Sequence, residues 1–171
     1  MYLESDRPRR KISLNSADII LEFIAFAMII IQVLLLVFYY NDLPDRIPTH
    51  FNGAGEPDGF GSKTTVFLFP GITLFIYILL TVAARFPHFY NYPVKITDRN
   101  AEIQYRLAIR MLRITKVLVL LMFAYLNYKT ILTAIGKATG LGLVFLPVFL
   151  LLLFGTIGIY LVQALNNKQP G

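Results

Sequence analysis

Four long apolar runs dominate the chain, at residues 19–40, 65–84, 117–135 and 141–165. Each has about the twenty residues that a helix rising 1.5 Å per residue needs to cross a hydrocarbon core of roughly 30 Å. They are apolar on every side, whereas outer-membrane strands alternate apolar and polar residues over segments of about ten. The pattern therefore predicts an all-α membrane protein, a single domain (1–171) with four transmembrane helices. Positive charge precedes the first run, as in a signal peptide. That run, however, lacks an A-x-A cleavage site and continues through Val37, Phe38, Tyr39 and Tyr40 into a polar loop, so it reads as a retained helix. Pro70-Gly71 and Pro147 fall inside their runs and suggest kinks or locally opened backbone.

Residues 98–116 have a different pattern. A helix starting after Thr97 or Asp98 puts Arg99, Arg106, Arg110 and Arg113 in one sector, at about 100° per residue, with Tyr105, Ala108, Met111 and Leu112 opposite. This predicts a cytoplasmic amphipathic helix before the third span, its four arginines facing lipid headgroups, with a protein partner as the alternative. Lys and Arg counts set the expected orientation, because positive flanks stay inside. Residues 1–18 carry Arg7, Arg9, Arg10 and Lys11, and residues 85–116 carry seven more, whereas loop 41–64 has only Arg46 and Lys63. Both termini are expected in the cytoplasm and loop 41–64 outside.

Composition narrows the function classes. The chain of 171 residues is 56% hydrophobic and 15% charged, with a mean hydropathy of +0.61, too oily for an ordinary soluble domain. A net charge of +6 spread over such a chain does not make a nucleic-acid module, and none is expected as a partner. With no cysteine, disulfides, thiolate nucleophiles and iron–sulfur clusters are excluded. No nucleophile elbow, Walker loop or H-E-x-x-H helix is present, so the expectation is a non-enzymatic protein without a cofactor.

The outward loop carries the densest chemistry. Seven of residues 41–63 are Gly or Pro, which fits a chain of tight turns and argues against helix or regular strand. Leu43, Ile47, Phe51 and Phe60 are interleaved as apolar anchors, as in a shaped loop. Locally extended backbone points His50 and Asn52 the same way, and Glu56 and Asp58 can fold back toward them across Gly53–Gly55. One imidazole with two or three carboxylates can hold a divalent metal, and His50 with Asp58 can form an acid/base couple. A zinc site normally takes three or four protein ligands, and the loop offers one histidine, so the favoured reading is architectural: these side chains cap turns, and Lys63 neutralises the headgroup edge. A peptide or lipid surface is compatible with it.

The stretch Leu43-Pro44, Ile47-Pro48, His50-Phe51-Asn52, Gly55, Asp58 and Ser62-Lys63, set between two membrane helices, resembles the uncharacterised bacterial membrane domains at the N-terminal end of SdpI-type toxin-immunity proteins. The resemblance covers residues 19–84. It implies a bacterial inner-membrane protein with this loop outside and an immunity or signalling role, in which the loop recognises or blocks an external peptide or envelope component. Phe51 and Phe60 would give apolar contact, and His50, Asn52, Gly55, Asp58 and Lys63 would fix loop shape or ligand.

Two polar residues lie within the first span. Gln32 is central and is expected to hydrogen-bond another helix. Glu22 is about one turn inside the cytoplasmic edge, where it can snorkel or pair with Arg10 and Lys11. An intramembrane acid is also a functional candidate, so a small proton-coupled transporter using Glu22 is the second hypothesis. An accessory subunit of a larger membrane complex is the third.

Overall fold

The computed structural model describes residues 7–168; residues 1–6, part of the expected cytoplasmic N-terminus, lie outside the described residues. Four helices carry the fold: α1 (Ser16–Tyr39), α2 (Leu68–Ala83), α3 (Ala101–Ala134) and α4 (Phe145–Asn166). A two-stranded antiparallel hairpin, β1 (Arg46–Phe51) and β2 (Pro57–Ser62), joins α1 to α2. The expectation of an all-α chain without strand at 41–64 is thus corrected. By composition alone, the glycines and prolines of this stretch are turn-formers. Here Gly59 and Gly61 lie within β2, and a Cβ on either would stand 3.0 or 2.9 Å from His50 or Thr49 across the hairpin. These residues let the strands approach closely instead of breaking them.

Among the described residues, three helical segments are long and apolar enough to cross a membrane, Ser16–Asp42, Lys63–Ala83 and Phe145–Asn166. Their outward faces are apolar: Phe23, Phe38, Phe75, Leu151 and Phe154 are all exposed, a belt that water would not tolerate but lipid would. The amphipathic helix and third span expected as separate elements form one continuous helix of 34 residues, α3. It is the central element, packed against α1, α2, α4 and β1. Pro70 and Pro147 both fall at helix starts. Each is the third residue of its helix, in the first turn, where its missing N–H has no intrahelical acceptor to lose.

Local chemistry fixes the ends. Asn15 caps α1 through a capping box: its Oδ1 accepts from the Asp18 N–H at 2.9 Å, and Asp18 Oδ2 accepts from the Asn15 N–H at 3.0 Å. Helix α3 begins three residues later than the earlier of the expected caps allows, because Thr97 and Asn100 bond each other's backbone, the Thr97 N–H reaching Asn100 Oδ1 at 2.8 Å. The C-terminal end of α4 is closed from α3: Gln104 Nε2 donates to the Ala164 and Asn167 carbonyls at 2.9 and 3.0 Å, and Asn100 Nδ2 to that of Lys168 at 2.9 Å. These side chains supply the partners that the last carbonyls of a helix lack.

Three apolar clusters stack along the bundle. Leu36, Leu43, Ile47, Val66 and Ile131 fasten the hairpin to α1 and α3; Ala25, Ile29 and Leu120 pack the middle; Ala108, Tyr160 and Ala164 close the opposite end. Polar residues are also interior. Gln32 Nε2 donates to Thr73 Oγ1 at 3.1 Å, and the Thr73 hydroxyl donates to the Phe69 carbonyl at 2.7 Å, which ties α1 to α2 as expected for Gln32. Asn127 Nδ2 approaches the Gln32 carbonyl at 3.5 Å.

Candidate functional site

The hairpin presents the residues singled out above on a pinned support. Asn52 organises its tip: Oδ1 accepts from the Ala54 and Glu56 N–H groups at 2.9 and 3.0 Å, and its own N–H donates to the Glu56 carbonyl at 2.9 Å. Its Nδ2 reaches Glu56 Oε2 at 3.3 Å, while Gly55 takes φ +80°, a conformation that glycine adopts without strain. Beyond the tip the register shifts twice, pairing His50 with Gly59 and Phe51 with Pro57, so Asp58 has no cross-strand partner. With no side chain at Gly59, the His50 ring turns over it and its Nδ1 sits on Asp58 Oδ1.

The tip rests on the α3–α4 loop. The Leu141 N–H donates to the Gly55 carbonyl at 2.7 Å, and a Cβ on Gly140 (φ +148°) would fall 2.1 Å from that oxygen. Tyr125 supports the loop, donating to the Leu141 carbonyl at 2.7 Å and stacking on Phe145. Lys63 pairs with Asp45 at 3.5 Å and lies over the Tyr40 ring. The hairpin therefore has two faces. Leu43 and Ile47 are buried beneath it, each contributing about 2 kcal/mol of apolar burial. His50, Asp58 and Phe60 stay open to solvent, with 71%, 44% and 52% exposure, and Phe51 is half-buried. No group of three or more His, Asp or Glu suited to a metal occurs among the described residues.

At the other end of the bundle lies a buried ionic cluster. Asp18 and Glu22 are one turn apart on α1, Arg113 and Lys116 one turn apart on α3. Arg113 Nη1 stands 2.9 Å from Asp18 Oδ1 and its Nε donates to Glu22 Oε1 at 3.3 Å. Lys116 Nζ donates to Glu22 Oε2 at 2.6 Å and to Thr81 Oγ1 of α2 at 2.8 Å, and lies 4.6 Å from the Tyr77 ring centroid. The side chains of Lys116 and Arg113 are only 1% and 11% exposed. Glu22 is paired, but with α3 and not with Arg10 or Lys11. Of the four arginines expected at lipid headgroups, Arg99 and Arg110 are exposed and Arg106 bonds Glu102 at 3.2 Å on the same helix. Arg113 lies at the edge of the arginine sector and turns inward. Sequence reasoning missed Asp18 and Lys116, although acids spaced i,i+4 and bases spaced i,i+3 at matching depths carried the signal.

An aromatic knot borders this cluster. Arg7 Nη1 donates to the Tyr90 carbonyl at 2.5 Å and its guanidinium lies over Tyr92; the Tyr105 hydroxyl donates to the Pro8 carbonyl at 3.0 Å. Burial pushes the Tyr90 phenol up to about 12, opposed by the positive charge of Arg113. Burial also raises Tyr105, and raises Tyr92 further with help from neighbouring phenols. The His88 ring lies against that of Phe89, with centroids 4.2 Å apart and planes tilted by 41°.

Comparison with known proteins places the hairpin at the centre of a recurring unit. Residues 27–74, from within α1 through the hairpin into α2, match the model of a family described as a domain of unknown function, DUF1648. An uncharacterized protein of Archaeoglobus fulgidus is 35% identical over 81 residues, 43% of this chain and 43% of that protein. The chain thus spans under half the length of that relative. No solved structure matches. The comparisons thus show a stretch similar to the DUF1648 family, in a mostly helical chain whose described residues include three segments long and apolar enough to cross a membrane.

Proposed function

We propose that this is a non-enzymatic, four-span protein of the bacterial inner membrane, with both termini inside, whose hairpin binds or blocks an extracytoplasmic peptide or envelope component. The outer half of α3, packed among the three other helices, serves as the remaining span. The observation that carries the reading is the two-faced hairpin. Its inner face is fixed to α1, α3 and the α3–α4 loop, which leaves His50, Asp58, Glu56 and Phe60 displayed on an ordered frame. Preorganised polar groups beside an exposed aromatic are what a binding surface needs to limit its ordering cost. The resemblance to the immunity proteins supports the same reading.

The test compares wild type with His50→Ala/Asp58→Ala by affinity purification of the intact protein in mild detergent, with metal analysis of each sample. A partner or metal present in wild type and lost in the variant is the expected result. Identical samples, with unchanged protein level and envelope-stress response, would make the residues architectural. Because the chain has no cysteine, Ala54→Cys and Arg99→Cys report orientation cleanly. An impermeant maleimide on intact cells should label the first and not the second.

A partly buried acid within the first span favours a second reading, proton-coupled transport through Glu22. Glu22 borders a cavity at the inner end of α1, and this reading predicts that flux disappears in Glu22→Gln. An accessory-subunit role would appear in the purification above as a stoichiometric partner retained by the variant.

A further inference from the structure

At the end of the bundle opposite the hairpin, a cavity of about 530 Å³ opens between residues 10–14, the C-terminal end of α2 and the middle of α3. Its size lies within the roughly 300–1,000 Å³ of small-molecule sites. Four cationic side chains line it, Arg10, Lys11, Arg85 and Arg113, against the single carboxylate of Glu22. That carboxylate is already matched by Lys116 and Arg113. Lys11 and Arg85 have no acidic partner among the described residues, and Arg10 meets only the exposed Asp98, at 3.8 Å. Among the described residues, positive charge at this end of α1 and α2 therefore exceeds the acid that faces it.

We propose that this recess binds the phosphate-bearing headgroup of an anionic phospholipid. A guanidinium carries five N–H donors, and the two acid contacts of Arg113 leave others to offer. Arg10, Lys11 and Arg85 supply further donors from two other elements, so a phosphate would be held from several sides. The walls are also apolar: Ile109 lines the recess, and Leu14 stands at its edge with 53% of its surface exposed. A free phosphate has no use for that surface, whereas the glycerol and first acyl carbons of a lipid cover it. Such a site differs from adsorption through the exposed Arg99 and Arg110, which do not line the cavity, because it selects one lipid position and not an averaged surface charge.

The test uses the full chain purified in neutral detergent, titrated with dioleoyl phosphatidylglycerol, dioleoyl phosphatidylcholine or inorganic phosphate, and read by native mass spectrometry and by the melting midpoint. Phosphatidylglycerol should bind and raise the midpoint, and the other two at equal concentration should not. Lys11→Gln/Arg85→Gln should weaken phosphatidylglycerol binding about thirtyfold, at roughly fivefold per cation removed. Arg99→Gln/Arg110→Gln, which removes the same charge from the exposed face, should change it less than about threefold. Arg85→Lys, which keeps the charge, should retain binding and guards against a folding defect. Equal weakening by both double variants would show diffuse attraction only, and inorganic phosphate matching the lipid would show a free-anion site; either overturns the proposal.

Discussion

Replacing Lys116 by methionine removes one charge from a buried group of four. Asp18 and Glu22 balance Arg113 and Lys116, and the Lys116 side chain is 1% exposed, so the loss leaves the partly buried carboxylates of α1 one cation short. Breaking one side of a buried pair costs about 3–5 kcal/mol. At roughly 2–4 °C per kcal/mol for a chain of this size, the midpoint should fall by between about 6 and 20 °C. Glu22→Gln alone leaves the opposite imbalance and should fall comparably. The double variant Glu22→Gln/Lys116→Met is again neutral, with a glutamine placed to hydrogen-bond Arg113 and Thr81, and should recover most of the loss. The assay is fluorescence-detected size exclusion of detergent-solubilised protein after a temperature series, on all four members of the cycle. If Lys116→Met melts within about 2 °C of wild type, or if the double variant loses the sum of the two singles, the cluster is not holding α1 to α3 in the way its geometry implies.

Three further outcomes follow from particular contacts. Gly140→Ala forces a Cβ to 2.1 Å from the Gly55 carbonyl oxygen, adding strain of order 1–3 kcal/mol; hydrogen exchange at residues 52–56 should quicken, whereas Gly53→Ala, with nothing within 4 Å, should leave it unchanged. Asn127→Leu should be neutral or stabilising in a thermal melt, because Asn127 Oδ1 is buried with no partner, whereas Gln32→Leu should lose roughly 0.6–1 kcal/mol with its Thr73 bonds. Tyr90 should stay un-ionised in an ultraviolet titration through its ordinary value of 10.0 and ionise near 12. Its folded value is the higher one, so its contribution to stability is whole below pH 10 and is lost as pH rises toward 12.

Hydrophobic periodicity located the helices well because lipid-facing and core-facing positions in this chain are both apolar. The runs at 19–40 and 65–84 differ from α1 and α2 only by a few residues at their ends, where Asn15 caps α1 and a 3-10 turn, Lys63–Phe67, precedes α2. The same reasoning failed for α3. Basic residues gave way to apolar ones at Lys116, and the change of composition was read as a change of element. The backbone continues through it, because Lys116 finds Glu22 and Thr81 instead of water and so needs no boundary. In the hairpin, composition misled for a different reason. A glycine in a strand is unfavourable by propensity, yet at Gly59 and Gly61 the absence of a side chain is what allows His50 and Thr49 across the ladder.

Side-chain chemistry could be read from the sequence, but which partners it meets could not. The fold-back of Asp58 to His50 and of Glu56 to Asn52 was accessible because both are local, separated by eight and four residues. Glu22 was recognised as costly in the membrane, and only its nearest neighbours in sequence were available as partners. Its real partners lie 91 and 94 residues away on α3. Helix register decides that pairing: Asp18 and Glu22 point to one side of α1 only once α3 is known to lie there. The same register turns Arg113 inward while Arg99 and Arg110 stay exposed, although the helical wheel puts all of them in one sector of about 60°. A wheel carries angle without neighbours, so it ranks faces by chemistry and leaves the edge of a face undecided. Arg113 sits on that edge, and there the two buried carboxylates of α1 outweigh the headgroups.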